Sequence, residues 1–278
     1  MEGKKRLDNT GGPVRYETQG KIALVMIDRY DEARNAVDRL TATQLAEAFR
    51  RFDADDSLSV AVLSGAGGVF CAGADLKQVS QPEKMLRIQD SGDGPMGFSR
   101  LLLSKPVIAA VEGYAVAGGL ELAIWCDLRV AAKDAVFGVF CRRWGVPLMD
   151  GGTVRLARMI GMSNALDMIL TGRGVSGDEA LRMGLANRIV AKGRALDAAI
   201  ELAEQLAAFP QYCMRSDRMA VYEGWSMTMP EALRNEFFRG KQVIESGETA
   251  EGAVRFAEGS GRHGSFNEFG SKTRKPRY

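Results

Sequence analysis

Apolar positions along the chain follow two rhythms. Between residues 14 and 190, short apolar runs alternate with segments of helical spacing. After about Gly193 only the helical spacing remains. The run at 22–27 (Ile-Ala-Leu-Val-Met-Ile) is continuously apolar, as for a strand covered on both faces. Runs at 60–64, 107–111 and 128–132 predict further strands, with shorter ones at 14–18, 136–139 and 188–190. Leu45, Phe49 and Phe52 recur at helical spacing after the capping-box pattern Thr41-Ala-Thr-Gln44, and predict a helix that ends near Asp55. Further helices are predicted to open at Leu120, at Asp150 or Gly151, and after the capping box Ser176-Gly-Asp-Glu179. Residues 87–97, rich in Asp, Ser and Gly, predict a mobile loop. Beyond Gly193, Leu196, Ile200, Ala203 and Leu206 repeat at helical spacing, and helical segments continue to about Glu258. The pattern is an α/β part followed by an all-helical part. There is no strict internal repeat, but a strand-turn-strand-helix rhythm recurs loosely, as in a coil of ββα units.

Composition narrows the function classes. A chain of 278 residues makes one large domain or two small ones and buries a core without disulfides or metals. Lys+Arg 37 against Asp+Glu 35 leaves no bulk charge to favour nucleic acid or a membrane surface. No apolar run reaches the roughly 18 residues that a membrane span needs. Cysteines at 71, 126, 141 and 213 form no C-x-x-C pair and read as free thiols in a reducing compartment. The opening MEGKKRLDNT has no apolar signal region, so a cytoplasmic location is expected. The single histidine, His263, excludes metal sites with two His ligands, and no metal is expected. It sits in a polar loop, so acid–base work falls to carboxylates.

Two turns rich in small residues, each between a strand and a helix, are the chemical candidates: Phe70-Cys-Ala-Gly-Ala-Asp-Leu76 and Gly113-Tyr-Ala-Val-Ala-Gly-Gly-Leu-Glu-Leu122. Such turns expose unpaired backbone N–H groups, and two aimed at one point form an oxyanion hole. On pattern alone they read equally as tight connections. A dinucleotide site is disfavoured, because Gly65-Ala66-Gly67 lacks the third glycine, Phe standing at position 70; no Walker A sequence is present.

In combination, the motifs are specific. Arg34-Asn-Ala-Val37 and Val69-Phe-Cys-Ala-Gly-Ala-Asp-Leu76 precede the long stretch from Lys105 to Ala123. Cys126-Asp-Leu128, Phe137-Gly138, Gly151-Gly-Thr-Val-Arg-Leu156, Leu170-Thr-Gly-Arg173 and Gly184-Leu-Ala-Asn-Arg-Ile-Val190 follow. From about Val14 to Phe266 the chain resembles the enoyl-CoA hydratase/isomerase (crotonase) superfamily. The resemblance implies an α/β spiral of ββα units over residues 1–192, a helical trimerisation region over 193–268, and a basic tail, 269–278, expected to be disordered. It implies an acyl-CoA thioester ligand, coenzyme A being part of the substrate rather than a separate cofactor, and self-association as a trimer or hexamer. Carried over by position, the N–H groups of Ala74 and Gly118 hold the thioester oxygen, and Glu121 falls on the first hydratase glutamate. Cys141 stands where the second glutamate belongs, and a thiol of reference pKa about 8.5 does not replace a carboxylate. Asp150, about one residue off in the alignment, reads equally as the substitute carboxylate or as a helix N-cap. Arg34, Asn35, Ala36, Ala72, Asp75, Leu76 and Lys77 fall at substrate-binding positions, as do Cys141, Phe256 and Phe266. The reading is an enoyl-CoA hydratase. Its rivals are an isomerase that uses Asp150 and a catalytically weak acyl-CoA-binding protein.

Overall fold

The computed structural model describes residues 6–8, 12–78 and 81–261. They fall into two compact units that divide between Ala203 and Glu204, inside a helix.

In the first unit, seven strands among the described residues make one sheet. They are β1 (Arg6–Asp8), β2 (Val14–Gln19), β3 (Ile22–Ile27), β4 (Val60–Gly65), β5 (Val107–Val111), β7 (Leu128–Ala132) and β10 (Arg188–Val190), in that spatial order. β1, β2 and β3 pair antiparallel; from β3 onward every pairing is parallel. The parallel strands are the continuously apolar runs, because both their faces are covered: all five residues of β5 are buried. Three short strands, β6 (Tyr114–Val116), β8 (Val136–Gly138) and β9 (Gly174–Ser176), make a second sheet in the order β6-β8-β9. The chain therefore runs from the large sheet to the small one and then into a helix: β5, β6 and α3 (Gly118–Trp125), then β7, β8 and α4 (Gly152–Thr171). This is the expected coil of ββα units.

Several boundaries differ from the predicted ones, each for a local reason. Helix α1 (Tyr30–Ala33) is a single turn. Helix α2 (Arg39–Ala54) starts before Thr41, because Asp38 is the cap: its Oδ1 accepts from the Thr41 N–H at 2.9 Å. The residue predicted as a cap is thus in the first turn. Ser176 does cap α5 (Gly177–Arg182), accepting from the Glu179 N–H. The stretch predicted as a mobile loop is anchored in its second half. Met96 and Phe98 are fully buried, and Phe98 lies between Phe49 of α2 and Trp125 of α3, 4.5 Å from each ring. Burying one such ring stabilises by about 1.5–3 kcal/mol, and the Trp125 indole N–H fixes the chain just beyond by donating to the Leu101 carbonyl at 2.9 Å.

The division at Ala203 falls within α6 (Ala195–Ala208). The second unit continues with α7 (Gln211–Gly224), α8 (Met229–Glu245) and α9 (Glu248–Ala257). α7 and α8 are tied by Glu223, which accepts from Asn235 and from the Arg239 guanidinium. Phe266, assigned above to substrate binding, lies outside the described residues, whereas Phe256 is exposed on α9.

Candidate active site

A cavity of about 480 Å³ lies within the first unit, and its lining brings together Ala72, Ala74, Gly118, Glu121, Cys141 and Asp150. Asp75 and Leu76 also border it, whereas Arg34, Asn35, Ala36 and Lys77 lie outside its lining.

One side of the cavity is backbone. The segment after β4 is stitched to β6: Cys71 N–H donates to the Tyr114 carbonyl at 2.9 Å, and Val116 N–H donates back to Cys71 at 3.1 Å. These bonds hold the two small-residue turns against each other. A methyl group added at Gly73 would lie 3.2 Å from the Gly118 nitrogen. Ala74 is flanked by two bonded neighbours, since Gly73 O accepts from Val37 and Asp75 N–H donates to Val37. Its own N–H and that of Gly118 find no acceptor among the described residues. Gly118 opens α3, where the N–H groups of the first turn have no partner within the helix. Ala117 before it takes φ 54°, ψ −125°, a strained conformation for a residue with a Cβ, held by its N–H bond to Gly138 O. That strain turns the chain sharply enough to leave the Gly118 N–H at the cavity wall.

Beneath this turn a buried ion network braces Asp75. Its Oδ2 accepts from Arg29 at 3.0 Å, and its Oδ1 accepts from the Lys77 N–H at 3.2 Å. Asn35 is fully buried and bonds the carbonyls of Ala66 and Val69. Both side chains are bonded into the framework that holds the first turn.

Another part of the lining carries the carboxyls. Glu121 is 2% exposed, in the first turn of α3. Its Oε1 accepts from the N–H groups of Asp150 and Gly152, both at 2.8 Å. Burial, reinforced by the nearby Asp150 charge, pushes its pKa up to about 7. Asp150 does not cap α4. Gly151 takes the N-cap position, with no side-chain cap, and the Asp150 carboxyl turns to the segment at 96–99, before β5. Its Oδ1 accepts from the Met96 N–H at 2.9 Å and from the Ser99 hydroxyl. Burial pushes this carboxyl up as well, against the pull of those two bonds. Cys141 is buried at the cavity edge, and burial together with Glu121 pushes its thiol up from an already high value, so it carries no charge at neutral pH.

Residues 17–266 match the enoyl-CoA hydratase/isomerase family. The chain belongs to that family. It is 36% identical to an enoyl-CoA hydratase of Mycobacterium tuberculosis over 90% of this chain and 95% of the relative. It is 34% identical to a carnitinyl-CoA dehydratase of Proteus mirabilis over 87% and 94%. A crystal structure of an enoyl-CoA hydratase from M. tuberculosis matches the fold with TM-score 0.83 at 36% identity, over 88% of this chain and 96% of that one.

In this enoyl-CoA hydratase/isomerase family member, the pattern reading did not find Met96, Ser99 or Arg155. Met96 lines the cavity, Ser99 binds Asp150, and Arg155 donates to the carbonyls of Asp150 (2.9 Å) and Ser99 (2.8 Å). One signal for Met96 is present in the sequence. Met96 and Phe98 are large apolar residues in an otherwise polar stretch, and such residues seek the core. Among the described residues, no group of three or more His, Cys, Asp and Glu is placed to hold a metal ion, and no helix is long and apolar enough to cross a membrane.

Proposed function

We propose that this chain catalyses the reversible addition of water to 2-enoyl-CoA thioesters, with Glu121 and Asp150 as its acid–base pair. One observation carries the reading: two unpartnered N–H groups border the same cavity as a buried carboxyl with a pKa raised to about 7. The thioester oxygen sits between the Ala74 and Gly118 N–H groups. Water adds to Cβ as Glu121 takes its proton. The π electrons move through Cα to the carbonyl, and the two N–H groups hold the resulting enolate oxygen. A proton then reaches Cα from Asp150 in its protonated form, and the proton taken up by Glu121 replaces it, so that one water supplies both the OH at Cβ and the H at Cα. A pKa near the working pH suits Glu121 to giving and taking a proton in the two directions. One lost oxyanion donor costs roughly 3–4 kcal/mol in such reactions. Apolar walls, among them Met85, Leu86, Met96 and Trp144, suit an uncharged acyl chain.

A second reading rests on the same two cavity-lining carboxyls, Glu121 and Asp150. The pair could instead move a proton from Cα to Cγ and shift a double bond. The test is to mix the protein with crotonyl-CoA and follow loss of the conjugated thioester absorbance. Turnover supports the hydratase. No turnover there, with conversion of a 3-enoyl-CoA to the conjugated isomer, supports the shift. Binding without either reaction leaves only an acyl-CoA-binding role.

We also propose self-association as a trimer, or as two trimers. Met229, Leu233, Phe237 and Ile244 recur at near-helical spacing on α8 and are all exposed, an apolar stripe that a second copy could cover. A stable monomer at micromolar concentration in light scattering would defeat this.

A further inference from the structure

We propose that Ser99 is a positioning residue for the acid–base pair: its hydroxyl, donated to Asp150 Oδ1 beside the Met96 N–H, holds that carboxyl in the orientation in which it lines the acyl cavity. The inference rests on the reading of Asp150 as an acid–base group.

Ser99 is 1% exposed, and its hydroxyl is spent on this one bond rather than on solvent. The surroundings are built around the pair. A methyl added at Gly94 would lie 1.8 Å from the Ser99 oxygen and 2.7 Å from Asp150 Oδ1, so the chain passes as close as a missing side chain allows. Arg155, in the first turn of α4, donates one nitrogen to the Asp150 carbonyl and another to that of Ser99. The two residues, 51 positions apart, are thereby locked to each other through backbone as well as side chain. The Asp150 N–H in turn bonds Glu121, so an error in the placement of Asp150 passes directly to the other carboxyl. Met96, which supplies the second donor, also packs beside Gly118: a methyl there would lie 2.8 Å from its terminal carbon. One short segment thus touches both the oxyanion turn and the acid.

Two donors on one oxygen favour the ionised carboxyl and oppose the effect of burial. The charged and titratable groups that act on Asp150 are Glu121 on α3, Arg155 on α4 and Arg100 just beyond Ser99, and Cys141 lines the same cavity. Ser99→Ala alters none of these; it removes one donor.

The experiment measures kcat and KM for crotonyl-CoA across pH in the wild type, Ser99→Ala, Asp150→Asn and the double variant. In Ser99→Ala, kcat is expected to fall about tenfold with KM held within about twofold, and the Asp150-linked limb of the profile is expected to move to higher pH. Added to Asp150→Asn, the change should cost nothing further, because the group it acts through is gone. Ser99→Cys, which keeps a weak donor, should recover part of the loss. Near-ultraviolet circular dichroism checks that each variant is folded. A loss uniform across pH, or one that adds in full to that of Asp150→Asn, overturns the proposal, since a serine that merely packs would behave that way. Undiminished turnover in Asp150→Asn alone is a different failure, that of Asp150 as an acid–base group.

Discussion

The cavity has two sides that are built by different means. On the proposed oxyanion side the working groups are main-chain N–H donors, Ala74 and Gly118, and side chains such as Asp75 and Asn35 brace the first of the two turns. On the proposed acid–base side the working groups are carboxyls, braced by main-chain N–H groups, those of Asp150 and Gly152 on Glu121 and that of Met96 on Asp150, together with the Ser99 hydroxyl on Asp150. A backbone donor has no proton to lose and a fixed direction, so it suits a step that needs only a preorganised dipole. A carboxyl must change protonation, and its proton affinity depends on burial and neighbouring charge. Mutations should therefore act on the two sides in different ways.

The largest effect is expected on the oxyanion side. Gly118→Pro removes the N–H outright, and activity should fall at least about a hundredfold whatever the reaction. Proline is tolerated at a first helical position, but the unusual Ala117 backbone before it makes a circular dichroism check necessary. Near-normal turnover in a folded variant would remove Gly118 from the site.

On the other side, Glu121→Gln keeps the shape and abolishes the proton exchange. The rate should fall by roughly a hundred to ten thousandfold with acyl-CoA binding retained, as measured by turnover beside calorimetric titration. The same variant tests the linkage. Folded Glu121 holds its proton up to about 7, whereas the ordinary value is 4.5. Between those values the native state binds more protons than the unfolded one, so this carboxyl subtracts stability as pH rises through that window. Denaturant melts of the wild type should show that decline, and Glu121→Gln should lack its share of it.

Gly152→Ala perturbs the bracing rather than the acid. The new methyl would meet Glu121 Oε1 at 2.9 Å, so activity should drop by about tenfold, with a stability cost near the 1–3 kcal/mol of an overpacked site. Unchanged kinetics would mean that Glu121 can move without consequence.

The smallest effect is expected at Cys141. An uncharged thiol outside the carboxyl pair gives Cys141→Ala a change in kcat of less than about threefold. A loss as large as that of Glu121→Gln would make the thiol a participant and reopen the assignment of Asp150.

How far the sequence could be read follows the same division. The apolar runs of β3, β5 and β7 coincide with the predicted strands, because a strand covered on both faces needs nothing but apolar residues. The two small-residue turns were visible for a similar reason: the conformation that exposes an N–H is set by a few consecutive residues. The cap of α2 was misplaced by three positions, since Asp38 and Thr41 are both good caps and the pattern does not rank them. Residues 94–97 read as part of a loop because the partners that anchor them and the adjoining Phe98, namely Asp150, Phe49 and Trp125, come from elsewhere in the chain.

Neighbours along the chain are thus enough to specify seven of the ten strands among the described residues, the two turns and the family, but not the short strands β1, β6 and β9. The choice between Asp150 as a helix cap and Asp150 as a cavity carboxyl is made by contacts between distant segments, which place Gly151 at the cap and offer Ser99 and Met96 as donors. Such contacts also set the proton affinity of Glu121. Desolvation and the charge of a carboxylate 29 positions away are properties of the folded interior, where a charge removed from water responds to whatever the fold has put beside it.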